Sequence, residues 1–208
     1  MKKKYLGLVM AGIMAASLTA CGGSQPAEET TVAETTETTE AASEEQATQI
    51  ANPWRDCTEE EAAAAVPNCF SAPEGVTNVH WSIMENDPAE YALSPLVQLQ
   101  FDYNGTTITA REQGTTGEEY TDISGMYYDW TVVDDATLAN WADGNMPAKI
   151  SAYAGENEMA HKCEWFDIET GYSYCVSATA KDLDGLDIQA IAEQMYDYSK
   201  KEAAKMPD

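Results

Sequence analysis

Leu96-Val97-Gln98-Leu99-Gln100-Phe101-Asp102-Tyr103-Asn104-Gly105-Thr106-Thr107-Ile108-Thr109-Ala110-Arg111-Glu112 is the most informative stretch of this 208-residue chain. Val97, Leu99, Phe101 and Tyr103 alternate with Gln98, Gln100 and Asp102, the period-two pattern of a strand with one packed face. Asn104-Gly105 tolerates the two successive positive φ angles of a type I′ turn, the strongest short-range hairpin signal. The stretch therefore predicts an antiparallel hairpin. Similar runs predict strands at Val76–Ile83, Tyr127–Val133, Lys149–Ala154, Lys162–Asp167 and Tyr172–Thr179. Strict alternation suits antiparallel sheets that keep one face wet.

Two helices are expected around these strands. Thr58-Glu59-Glu60-Glu61 is a capping-box pattern, Ala62–Ala65 propagate the helix, and Pro67 ends it at about residue 66. Near the C-terminus, Ile188, Ile191, Ala192 and Met195 follow i, i+3, i+4, i+7 spacing. Asp184 is the expected cap, Asp187 sits near the positive dipole end, and Lys200, Lys201 and Lys205 lie toward the other end. The expected fold class is α+β: an antiparallel sheet with a short N-terminal helix and a packed C-terminal helix.

Composition narrows the function classes. The chain has 36 Asp+Glu against 11 Lys+Arg, a formal net charge of −25. That balance excludes phosphate-backbone recognition, which needs clustered cations. No nucleic acid is expected as a partner.

The N-terminal region reads as an address. Lys2, Lys3 and Lys4 precede an apolar run from Tyr5 to Leu18, the length of a signal-peptide core and short for a membrane span. Leu18-Thr19-Ala20-Cys21-Gly22 resembles the lipobox of bacterial lipoproteins. The resemblance implies cleavage before Cys21 and attachment of diacylglyceryl, with palmitate-like chains, to its sulfur. One acyl chain binds membranes marginally and two bind stably, so a diacylglyceryl Cys21 would be a sufficient anchor. Residues 22–50 hold seven Glu, no base and no aromatic residue. Such a tract cannot bury enough apolar surface to fold and reads as a tether spanning about 30 Å. The expected organisation is a signal peptide at 1–20, the lipidated Cys and tether at 21–50, and one α+β extracytoplasmic domain at 51–208.

Four further cysteines are Cys57, Cys69, Cys163 and Cys175. In an exported chain they are disulfide candidates. A five-residue loop from Asp167 to Gly171 would place Tyr172 opposite Phe166 and Cys175 opposite Cys163, leaving Cys57 to pair with Cys69. No C-x-x-C occurs, so neither a zinc ribbon nor a redox pair is supported.

Chemistry-bearing motifs are scarce. His80 and His161 stand alone, and no nucleophile elbow, phosphate loop or dinucleotide fingerprint occurs. Asp182-Leu183-Asp184-Gly185-Leu186-Asp187 has the look of a calcium loop but fails its ligand spacing, and capping explains it better. No catalytic residue, cofactor or metal site is therefore expected. The ligand-contact candidates are Arg111, Tyr128, Trp130 and Trp141. Arg111 reads either as a partner of Asp122 or as an anchor for an anionic ligand group. The aromatic residues read either as core or as a stacking platform.

Asn52-Pro53-Trp54 before the capped helix, Asp122-Ile123-Ser124-Gly125 in mid-domain and Asp182-Leu183-Asp184-Gly185 before the last helix together resemble a group of bacterial surface lipoproteins. Their soluble part is a domain of unknown function similar to the C-terminal domain of some sporulation-associated lipoproteins. The resemblance spans residues 51–198, and the four cysteines depart from it. It implies a lipid-anchored α+β domain on the extracytoplasmic face of the cell membrane and supplies no catalytic residues. The expected function is non-enzymatic binding of a protein, peptide or wall ligand. The alternatives are an envelope hydrolase using Asp/Glu chemistry and a regulatory lipoprotein gating a membrane complex.

Overall fold

The computed structural model describes residues 52–67, 69–85 and 89–200. The signal-like segment, Cys21, the tether, Lys201 and Lys205 lie outside the described residues.

The hairpin forms as its alternation dictates. Strands β3 (Leu96–Tyr103) and β4 (Thr106–Gly114) pair antiparallel, with Leu99 opposite Ala110 and Tyr103 opposite Thr106. Asn104 and Gly105 take φ of 51° and 84°. On one side β3 adds β2 (Thr77–Met84) and then β1 (Arg55–Cys57). On the other side β4 adds β8 (Tyr172–Ala180), β7 (Met159–Asp167), β6 (Met146–Ala154) and finally β5 (Val132–Leu138). The result is one antiparallel sheet of eight strands, ordered β1-β2-β3-β4-β8-β7-β6-β5. It consists of two four-stranded meanders joined at β4–β8. Residues 115–131 carry the chain from mid-sheet to the far edge.

One sheet face holds the core. Val97, Leu99, Phe101, Ile108, Ala110, Val176 and Ala178 are all buried in it. Aromatic rings extend it: Trp165 stacks on Tyr174 with centroids 5.2 Å apart, Trp141 meets Trp165 edge-on at 4.8 Å, and Phe70 stacks on Trp81 at 5.9 Å. Such rings each bury roughly 150–250 Å² and dominate a core this size.

Helix α1 (Glu59–Ala65) has the expected capping box. The Glu61 N–H donates to Thr58 Oγ1 at 3.2 Å, and the Thr58 N–H donates to Glu61 Oε2 at 2.9 Å. Val66, before Pro67, is extended. Helix α2 (Ile188–Gln194) buries Ile188, Ile191 and Ala192 against the sheet. Its cap is Asp187, whose side chain accepts the Ala190 N–H at 2.9 Å, rather than Asp184.

The α+β expectation is overturned. The described fold is largely β, and helices α1 and α2 are each only seven residues long. The C-terminal helix is cut short because the chain after it makes extended pairings instead. Tyr196 bridges Phe70, the Ser71 N–H donates to the Met195 carbonyl, and the Asp197 N–H donates to the Cys69 carbonyl, both at 2.9 Å. Lys200 consequently leaves the helix axis and donates to the Phe70 carbonyl and Ser71 hydroxyl. The strand expected at Tyr127–Val133 begins only at Val132.

The cysteine pairing is also corrected. The β7–β8 connection has four residues, with Asp167 opposite Tyr172, so Cys163 faces Val176 and Cys175 faces Glu164. The one-residue difference in register sends the two sulfurs to opposite faces of the sheet. Cys163 joins the aromatic core, and Cys175 packs beside Leu96 and Ile123. None of the four described cysteines, Cys57 and Cys69 included, forms a disulfide, and the Cys69 thiol meets the Tyr174 hydroxyl at 3.4 Å. Burial pushes the Cys175 thiol up to about 12, which leaves it chemically quiet at neutral pH.

Candidate functional site

The second sheet face is polar. Gln98, Arg111, Lys162, Glu164, Cys175 and Ser177 project from it, and residues 115–131 cross over it as a strap. Arg111 fastens the strap. Its Nε donates to Gln98 Oε1 at 3.0 Å, and its Nη1 donates to the Ile123 and Ser124 carbonyls at 3.1 and 2.6 Å. The Trp54 ring covers the guanidinium at 5.2 Å. Gly125 has a φ of 65°, and a Cβ there would sit 2.7 Å from Arg111 Nη1, so the close approach needs glycine.

Lys162 makes the second fastening. Its side chain is 4% exposed, with Nζ 3.2 Å from Asp122 Oδ2 and 2.5 Å from Glu164 Oε2, under the Trp130 ring at 5.1 Å. Burial alone would lower the Lys162 pKa, but the two carboxylates, Glu164 first, outweigh it and hold it above the ordinary value. For Asp122, burial works upward, and hydrogen bonds from Ser124 with the Lys162 charge outweigh it to hold the carboxyl low.

The sequence candidates are therefore dispersed. Arg111 spends its Nε and Nη1 donors on Gln98 and two carbonyls of the strap. Tyr128 and Trp130 lie together on the strap at 5.5 Å, Tyr128 stacks on Tyr153 at 4.9 Å, and its hydroxyl donates to Glu158 at 2.7 Å. Trp141 lies on the opposite face, 1% exposed, with its Nε1 donating to the Ala192 carbonyl at 3.1 Å. The four candidates do not share one platform. His80 pairs with Asp56 at 3.2 Å on the surface, and His161 lies on β7 beside a shallow hollow near the start of α2. Asp182, Asp184 and Asp187 line a smaller hollow, and no group of three or more metal-ligating side chains occurs among the described residues.

A concavity larger than either hollow involves none of these candidates. The β6–β7 ladder stops at Ala148 opposite Trp165. Beyond that pair, β6 follows β5 to Met146, while β7 follows β8 to Asp167. Pro147 brings no N–H to a ladder, which suits a point where two strands part. The fork opens into a cleft of about 580 Å³, within the usual range for ligand sites. Glu118, Glu119 and Tyr120 of the strap overhang it. Asp135, Lys149 and Glu164, which sit abreast on β5, β6 and β7, form one wall, and Trp165, Phe166, Asp167, Ile168 and Glu169 form another. Six acidic residues and one lysine line the cleft, and one of the six, Glu164, is already paired with Lys162. Trp165 is 1% exposed, and its indole N–H finds no acceptor among the described residues. A buried donor left unpaired costs about 1–3 kcal/mol. The cleft is not anticipated by the sequence, because Pro147 precedes the strand expected at Lys149–Ala154 and the walls assemble from register.

Glu112 is a separate buried acid. It is fully buried beside Tyr174 on the core face, where no hydrogen bond of good geometry reaches either oxygen. Burial raises its pKa well above the ordinary value, and the Tyr174 hydroxyl and Lys200 charge offset this only in part. A raised folded-state pKa gives stability that is complete below the unfolded value, about 4.3. That stability is lost as pH rises toward the folded value, at up to about 1.4 kcal/mol per pH unit. Urea midpoints should therefore fall between about pH 5 and about pH 7, and Glu112→Gln should flatten that slope. An unchanged slope in the variant would place its source elsewhere.

Comparison with known proteins yields no match: no family model, curated protein or solved structure proves similar to this chain.

Proposed function

We propose that the protein is a lipid-anchored binding protein of the cell envelope, held at the extracytoplasmic face through Cys21, whose β-sheet domain takes its ligand in the β6–β7 cleft. The open, acid-walled cleft at the parting of β6 and β7 is the observation that carries the binding half. The basic start, the apolar run and Leu18-Thr19-Ala20-Cys21-Gly22 support the anchored half. So does the resemblance to surface lipoproteins.

A binding role accords better with the site than hydrolysis. A general acid needs a carboxyl with a raised pKa within reach of substrate. The carboxyl most raised by burial, Glu112, is sealed in the core and does not line the cleft.

Membrane fractionation with intact-mass analysis tests the anchor. The native chain should begin at an acylated Cys21 and sediment with membranes. Cys21→Ser should be released or retained as an unprocessed precursor. A native chain that keeps Met1 to Ala20 and carries no acyl group would overturn the anchored reading.

A further inference from the structure

We infer that Lys162 and Asp122 become joined by an amide bond between their side chains, with Glu164 carrying the proton, so that the strap is covalently stapled to the sheet. The inference goes beyond the binding reading and does not depend on it.

Three side chains of the required chemistry converge on the polar sheet face. Lys162 Nζ stands 3.2 Å from Asp122 Oδ2 and 2.5 Å from Glu164 Oε2. The lysine side chain is buried under the Trp130 ring, and the Glu164 oxygen beside it is buried too. Bulk water is thus kept from the nitrogen. The Asp122 side chain is 52% exposed, which leaves a way out for a small leaving group.

The aspartate is also held for attack. Its Oδ1 accepts the Ser124 N–H at 2.8 Å and the Tyr120 hydroxyl at 3.3 Å. Those donors sit where negative charge develops when a nucleophile adds to the carboxyl carbon. Arg111 fixes the next two residues through the Ile123 and Ser124 carbonyls. Well-oriented intramolecular reactions gain effective concentrations of roughly 10⁵–10⁸ M from such fixing.

The step balances without a further reactant. At rest the site holds an ammonium and two carboxylates, as the raised Lys162 and lowered Asp122 pKa values describe. One proton passes from Nζ to Glu164 Oε2 and leaves an amine beside a carboxylic acid. The nitrogen lone pair then attacks Asp122 Cγ and forms the C–N bond while Glu164 returns its proton to Oδ2. The C–Oδ2 bond breaks, and a second proton from the nitrogen departs with that oxygen. The products are an amide, one water and the original Glu164 carboxylate, and nothing is oxidised or reduced. The amide is uncharged, so it also removes the desolvation penalty of a buried ammonium. Linking happens once per molecule, so a slow rate suffices.

The test is tryptic mapping of the native full chain by mass spectrometry. In an unlinked chain, cleavage after Lys162 releases residues 150–162. In the linked chain that cleavage should fail. Residues 112–149 and 150–181 should appear as one branched species, lighter than their sum by one water, with the branch between Asp122 and Lys162. Asp122→Asn should give a branched species of identical mass, because asparagine loses ammonia to form the same amide. Lys162→Arg keeps the charge but is a poor nucleophile, so cleavage and full mass should return. Glu164→Gln should slow linking about 10²–10⁴-fold, the usual contribution of a positioned acid–base group, and leave most newly made chain unlinked. A water loss that persists in Lys162→Arg would come from another site and overturn the assignment. Glu164→Gln linking as fast as the wild type would overturn the role of Glu164. A wild-type chain of full mass, cut completely after Lys162, would leave an ion pair only and overturn the proposal. That last measurement needs no variant, so a misfolded variant cannot mask it.

Discussion

Replacing Arg111 with Met should release the strap and lower stability by about 3 kcal/mol, since hydrogen bonds to charged groups contribute roughly 1.5–3 kcal/mol each and are only partly replaced by water. The guanidinium holds Gln98 and the Ile123 and Ser124 carbonyls, and it sits under the Trp54 ring. Methionine keeps much of the apolar stem but supplies no donor, so two strap carbonyls lose their partner. The denaturation midpoint should fall, and limited proteolysis should cut first within residues 115–131. Arg55→Met removes an exposed ion pair to Glu85 and should leave both readouts unchanged. An Arg111→Met chain with native midpoint and protease resistance would show that the strap is held by other contacts.

Trp141→Ala should cost about 4 kcal/mol, the usual scale for deleting a buried tryptophan. Trp141 packs against Trp165, Tyr174 and Tyr196, and its indole N–H donates to the Ala192 carbonyl at the end of α2. The substitution therefore opens a cavity and removes that carbonyl's indole donor. For a domain of about 150 residues the melting temperature should drop by about 10 °C. Ligand binding by the molecules that remain folded should persist, because Trp141 does not line the cleft. A chain with native melting temperature and lost binding would instead make Trp141 a ligand contact.

These two substitutions mark where local reading ends. Arg111 is legible in the sequence as a cation among acids, with Asp122 as its expected partner. The structure gives Asp122 to Lys162 and gives Arg111 to backbone carbonyls of the same strap. Tyr128, Trp130 and Trp141 are near in sequence, yet Trp141 falls on the core face because the chain between them runs through the edge strand β5. The C-terminal apolar stripe is buried as its spacing implies, but its helix is shorter than the spacing suggests. Nothing in residues 188–195 announces the pairing of Tyr196 with Phe70, more than a hundred residues earlier.

The sequence by itself determined what depends on neighbouring residues. The β3–β4 hairpin follows from alternation and Asn104-Gly105, and α1 follows from Thr58, Glu61 and Pro67, since turn and cap energies act within a few residues. The expectation of export and lipidation likewise rests on one contiguous segment. The tertiary structure alone decided what depends on register. One residue in the β7–β8 loop sets Cys163 and Cys175 on opposite faces, and the parting of β6 from β7 opens the cleft between Pro147 and Phe166. Side chains alternate along a strand, so a single-residue slip moves every group to the other face, and only the pairing of distant strands selects between the two.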